Sequence, residues 1–325
     1  MAIGLSVWAR SKLVIKRILL ILILVGCLVP CAETPGQQRF YAHESPQRKN
    51  AQQHPTQIPN NMVRSTGTNG GNSSKQQREQ ALRQIPMQRI AVEKQRQVAD
   101  VLENASIYRR LPVSTISTDP DMYLFLVRYP ETILNIWQIM GVTQMSADRT
   151  SAFHLLFNDG VGTDGHVELI YGTPTTNIYY GEGVYEGPML FRRVNGQCVI
   201  VLETQYQRDA LGHPQATSTL DVFLKIDHVA AGLVAKTVHP LVGSTADHNF
   251  VETLKFVEKL YLTSTENNHG VKGLSQRLTT IHPDVRDRFE EIVDVVGQRT
   301  ATIRAQGPSE AGNNVRPTTF QQPGR

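Results

Sequence analysis

A long stretch of strand-like alternation from Ser151 to His239 ends in an apolar stripe at helical spacing, and a chain written this way must lay a helix across a sheet. In Leu220–Ile226 the residues Leu220, Val222, Leu224 and Ile226 alternate with Asp221, Phe223 and Lys225, the period of a strand with one buried face. Phe250, Val251, Leu254, Val257, Leu260 and Tyr261 then fall on one helical stripe, with Glu252, Lys255 and Glu258 on the opposite side. Ser244, Thr245, Asp247 and Asn249 offer N-caps for that helix, and Asn249 with Glu252 has capping-box spacing.

Strands are expected at Ser151–Phe157, Gly165–Tyr171, Thr175–Gly181, Thr217–His228 and Gly232–His239, with turn residues at each join. Asn195-Gly196 lies between Met189–Val194 and Gln197–Leu202, and an Asn-Gly pair suits a two-residue type I′ hairpin. That register places Met189, Phe191, Arg193, Cys198, Ile200 and Leu202 on one face and leaves the other only partly wet. Gly181, Gly183 and Gly187 mimic a phosphate loop but precede no helix, so a tight turn or bulge is expected there.

Upstream, Tyr108–Ser117 predicts an opening strand. Asp119-Pro120 starts a helix over Pro120–Arg128, and Glu131–Met140 predicts a second, stopped by Gly141. The order strand, two short helices, antiparallel meander and terminal amphipathic helix, over residues 107–263, resembles the START-like or helix-grip fold of the polyketide cyclase and lipid-transfer superfamily. The resemblance rests on element order and implies an α+β domain whose curved antiparallel sheet wraps the C-terminal helix around an apolar cavity. A lipocalin-like barrel or other β-sandwich with an added helix is the alternative. Ser264–Gly273 reads as a polar connection, His282-Pro283-Asp284 as the start of a last helix to Val296 on the outside of the domain, and residues 298–325 as a disordered tail.

The N-terminus carries Arg10, Lys12, Lys16 and Arg17 before the apolar run Ile18–Val29, the pattern of an export signal. The run is short for a spanning helix. Leu24-Val25-Gly26-Cys27 resembles the bacterial lipoprotein signal, which implies lipidation at Cys27; ordinary cleavage near Cys31 and an uncleaved anchor are the alternatives. Residues 33–74 are polar, Pro- and Gly-containing and nearly free of apolar side chains, as in a disordered tether. Residues 75–104 form a loosely amphipathic helix interrupted at Pro86, a spacer or a segment that docks on the domain, a partner or lipid. The expected organisation is therefore leader or anchor (1–32), tether (33–74), helical linker (75–106), helix-grip domain (107–296) and tail (297–325).

The net charge of +4 hides a division: residues 111–296 carry 13 Lys and Arg against 22 Asp and Glu, whereas residues 33–110 carry 12 against 6. An acidic domain is a poor partner for nucleic acid. Basic flanks suit a membrane or cell-wall surface reached through the N-terminus, or simply a solvated linker. No cofactor is expected. His154 and His166, near Asp159 and Asp164, lack metal-ligand spacing and a third ligand, and no Gly-x-Ser-x-Gly elbow anchors a hydrolase triad. Cys198 reads as a small buried hydrophobe. Tyr171, Tyr179, Tyr180 and Tyr185 cluster on neighbouring strands, where an inward phenol offers apolar area with a polar handle.

The function expected is non-catalytic binding of an apolar small molecule or lipid, in a cavity lined by Trp137, Phe191, Ile200, Leu202 and Leu224, with Tyr179 and Tyr185 at its wall. A structural envelope component with a filled core is one rival. A cyclase- or hydrolase-type enzyme is another, for which His154, Glu203 and Asp221 are the residues to inspect inside the cavity.

Overall fold

The computed structural model describes residues 70–186, 193–226 and 239–306. Two helices come first, α1 (Lys75–Gln84) and α2 (Val92–Glu103), joined through a 3-10 turn at Met87–Arg89. Short strands β1 (Ile107–Arg110) and β2 (Ser114–Ser117) lead to α3 (Pro120–Arg128) and α4 (Pro130–Ile139). A meander follows: β3 (Ser146–Arg149), β4 (His154–Asn158), β5 (Thr163–Gly172), β6 (Thr176–Tyr185), β7 (Val194–Arg208) and β8 (Pro214–Ile226). Helices α5 (His239–Glu266), α6 (Asn268–Ser275) and α7 (Pro283–Gln306) complete the described chain.

The protein is α+β, with one antiparallel sheet of eight strands in the order β1-β8-β7-β6-β5-β4-β3, and β2 also paired to β8. A single sheet replaces the sandwich alternative. Strong local signals survive folding. Asp119 caps α3 by accepting from the Asp121 and Met122 N–H groups, with Pro120 as the first helical residue. Pro86 separates α1 from α2 by denying a helical donor.

The parity of each strand defines two faces. On the inner face Tyr179, Cys198, Ile200, Leu202, Leu220 and Val222 join one core with α3, α4, α5 and α7. On the outer face Tyr108, Ile178, Tyr180, Val199, Val201 and Phe223 form a second core with Ile85, Val98, Val101 and Leu102 of the N-terminal helices. The sheet is thus sandwiched between helical layers. Val98 and Val101 are fully buried, a contribution of about 1.5–3 kcal/mol each. Lys94 Nζ to Glu168 Oε2 and Lys225 Nζ to Asp100 Oδ2, both 2.5 Å, pin α2 across the strands.

Several expectations are corrected. Asn195 and Gly196 are not a turn: Tyr185 pairs with Val194, so both lie inside β7 and the β6–β7 connection is longer. Pairing on both sides, with β6 and with β8, outweighs the local turn preference of Asn-Gly. Gly181 and Gly183 are neither turn nor bulge; they lie in β6 in unbroken register with β7. The second face of β7 is covered by α2 instead of partly wet. His239 starts α5 and does not end a strand; residues 227–238, like Gly187, Met189, Phe191 and the expected N-terminal leader with Cys27, lie outside the described residues. Ser244, Thr245, Asp247 and Asn249 fall within α5, so none caps it. Glu258 is buried, not on the wet side, because its carboxylate accepts the Ser117 N–H at 2.7 Å. Helix α5 runs to Glu266 and α6 occupies most of the expected polar connection, while α7 runs to Gln306, past the expected end of order. Val285, Phe289 and Val293 of α7 share the main core.

Candidate functional site

The direction of α5 fixes which part of the inner face it flanks. Its Asp247 holds Arg109, paired to Val222, and its Glu258 holds Ser117, paired to Gln215, so α5 runs antiparallel to β8. The N-terminal end of α5 therefore lies toward the Ile226 end of β8. Helix α3 covers the other half of the face: Tyr179 Oη donates to Val127 O at 2.8 Å, and the Tyr123 and Ser218 hydroxyls meet at 2.5 Å.

At the end that α3 leaves clear, the register lines up a row of residues from neighbouring strands, Phe157, Gly165, Gly183, Gly196 and Ile226. Three adjacent strands present glycine to the same face. The Phe157 ring accounts for the first, since a Cβ on Gly165 would meet its Cζ at 2.5 Å. Gly196 differs: among the described residues only Leu224 Cδ1 and Lys225 O come within 4 Å of where its Cβ would stand, each at 3.7 Å. Gly196, paired to Gly183, thus leaves its stretch of backbone open. Glycine inside a strand weakens it and marks places where something approaches the backbone closely.

The row on one side is apolar: Leu155, Val167, Gly181, Cys198 and Leu224. Cys198 is buried, and desolvation pushes its thiol up to about 12. The row on the other side runs through Thr163, Tyr185 and Val194. Asp159 closes the β4–β5 turn against Thr163, its N–H donating to Thr163 O at 3.0 Å, and Thr163 pairs with Tyr185. Asp159, Thr163 and Tyr185 are all buried. Asp159 Oδ1 accepts the Val161 and Thr163 N–H groups at 2.8 Å each, whereas Asp159 Oδ2 and Thr163 Oγ1 are buried without a hydrogen-bond partner.

Of the residues expected to line a cavity, Ile200, Leu202, Leu224, Tyr179 and Tyr185 share the inner face. Tyr179 spends its hydroxyl on α3, while Leu224 and Tyr185 border the glycine row on opposite sides. Trp137, on α4, belongs to the same core, its ring centroid 5.1 Å from that of Phe256. Tyr180 faces outward, its hydroxyl bonded to Glu182. The glycines, Thr163 and Asp159 escaped the sequence reading because their role depends on which residues become cross-strand neighbours. The residues named for an enzyme are on the other face. His154 pairs with Glu168, Nε2 to Oε2 3.1 Å, and Asp221 is held by Arg110 and by the Tyr108 hydroxyl at 2.7 Å. Glu203, half-buried near Asp221, is raised above the ordinary carboxylate range by desolvation first and by that neighbour second. Among the described residues no group of three or more His, Cys, Asp or Glu is placed to hold a metal ion. No described helix is long and apolar enough to cross a membrane.

No protein-family model and no curated protein matches this sequence.

Proposed function

We propose that the domain is a helix-grip module that holds an apolar small molecule or lipid between α5 and the inner face of the sheet, without turning it over. In this reading the chain is exported and tethered at a membrane or wall by its N-terminus. The observation that carries the proposal is the open backbone at Gly196, where among the described residues only Leu224 Cδ1 and Lys225 O come within 4 Å of where a Cβ would stand. A structural core gains by filling such a place with a side chain, and a binding site gains by leaving it clear. The strand order, with β1 and β2 beside β8 and a long helix after the last strand, supports the fold assignment. The outward positions of His154, Glu203 and Asp221 favour binding over catalysis at this face.

The full-length protein, purified in mild detergent and titrated with N-phenyl-naphthylamine, is expected to give saturable fluorescence enhancement. Gly196→Val, which fits the strand and meets only ordinary contacts, is expected to remove it while leaving the circular dichroism spectrum and unfolding midpoint near those of the parent. Equal enhancement in the variant, or none in the parent, overturns the proposal. The second outcome favours a surface-acting structural component, for which the packed half of the core under α3, with the Phe125 and Phe289 rings stacked at 5.8 Å, is the supporting observation.

A further inference from the structure

We infer that the first half of α5, up to Asn249, is a gate to this site: it parts from the domain while the second half stays docked, and Asp247 is the latch that closes it. The inference rests on the reading above and assigns the entrance and its control.

Three features of α5 agree. The first is Asn249, which is fully buried with neither Oδ1 nor Nδ2 hydrogen-bonded. Buried polar atoms in native proteins nearly always find partners, and an amide left dry at both atoms penalises the closed state. Parting this half of the helix from the domain hydrates the amide, so opening recovers the desolvation that closure costs. The second is helix strength. Gly243, Ser244, Thr245, Asp247 and Asn249 are weak helix formers, whereas Leu254, Lys255, Glu258, Lys259 and Leu260 favour a helix, so fraying begins in the first half. The third is how each half is held. Leu254, Val257 and Leu260 lie in the main core, and Glu258 accepts the Ser117 N–H at 2.7 Å. Ahead of Asn249 the main core takes only Ala246 among the described residues, and the rest of the hold is polar: Arg109 Nε donates to Asp247 Oδ1 at 2.8 Å and Gly71 N to Oδ2 at 2.6 Å. Gly243 leaves room for the Arg109 guanidinium, since a Cβ there would stand 2.9 Å from Nη1. Both side chains of this pair are partly exposed, so water replaces the bond at small cost. The latched half lies toward the Ile226 end of β8, and Ile226 pairs with Gly196, so its departure uncovers the open end of the site.

Amide hydrogen exchange of the full-length protein, read by mass spectrometry with no ligand added, tests the gate by itself. In the parent, peptides covering residues 243–250 are expected to exchange at least about tenfold faster than those covering residues 254–261. Asn249→Leu keeps the branched shape and removes the unmet polar atoms, and is expected to slow exchange of the first half about tenfold and to raise the unfolding midpoint. Asp247→Ala removes the latch and leaves a better helix former in its place. It is expected to speed the same peptides about tenfold while residues 254–261 keep the parent rate. Stopped-flow mixing with N-phenyl-naphthylamine then joins the gate to the site, with uptake slower in Asn249→Leu and faster in Asp247→Ala. Exchange that is uniform along α5, or that neither substitution moves, overturns the gate whatever the probe does. Exchange as expected with uptake at one rate in all three proteins refutes the entrance while the site stands. Exchange as expected with no uptake by the parent refutes the site, and with it the role of entrance, while the motion of the segment stands.

Discussion

Arg149 on the edge strand β3 grips Glu131 in the first turn of α4, Nε to Oε1 at 2.5 Å and Nη2 to Oε2 at 2.9 Å, and both side chains are largely buried. The same guanidinium donates to Arg128 O and Ala152 O, so one side chain ties an outermost strand to two helices and a loop. Replacing it with Met strands the Glu131 carboxylate, which is 2% exposed. Arg149→Met is expected to cost roughly 3–5 kcal/mol in urea unfolding, and the double variant with Glu131→Leu to recover much of that. Additive losses in the cycle would show that the two residues do not act as a pair.

Gly181 is tight where Gly196 is open. A Cβ there would meet Cys198 Sγ at 2.9 Å, so Gly181→Ala is expected to destabilise by about 1–3 kcal/mol despite the better strand propensity of alanine. Removing the sulfur relieves the clash. Gly181→Ala combined with Cys198→Ala should therefore lose less than the sum of the two single changes, as measured by chemical denaturation.

The pH dependence of stability carries the signature of Glu203, whose carboxyl burial raises above its ordinary value of about 4.5. A raised folded-state value means that the native state holds the proton more tightly. The contribution is therefore complete below about 4.5 and fades as pH climbs through the folded value. Glu203→Gln is expected to be more stable than the parent at pH 7, with the gap closing under acid. Denaturant midpoints taken across that range check the sign; a gap that widens on acidification refutes it.

Phe223 tests whether the outer helices belong to the domain. It is fully buried, with its ring 5.0 Å from Tyr108, in the core shared with Val98 and Val101. Phe223→Ala is expected to cost about 3–5 kcal/mol and to make α2 the first site of limited proteolysis. Cleavage starting elsewhere would mean that α2 docks through its ion pairs alone.

The sequence made α3 and α4 readable because Asp119-Pro120 and Tyr129-Pro130 fix helix starts by local chemistry, and the Phe250–Tyr261 stripe marked α5 by its period. Asn195-Gly196 misled for the opposite reason. A turn preference of two residues was overruled by ladders on both flanks, which no window of sequence displays. Covering of the second face was equally hidden, since the alternation of Leu220–Ile226 suggests one buried side, yet Phe223 is as buried as Leu220. The candidate site is the least readable part. Gly165, Gly183 and Gly196 are spaced irregularly along the chain and form a row only through the β5–β6 and β6–β7 registers.

The anchoring of the first described residues has a mechanical meaning. Gly71 N donates to Asp247 Oδ2 at 2.6 Å, and Asn72 exchanges backbone hydrogen bonds of 2.7 and 2.8 Å with Arg110. A pull applied at Gly70 is thus borne by β1 and α5 before α1 feels any load, and it would tug on the edge of the sheet while the outer helices stay slack.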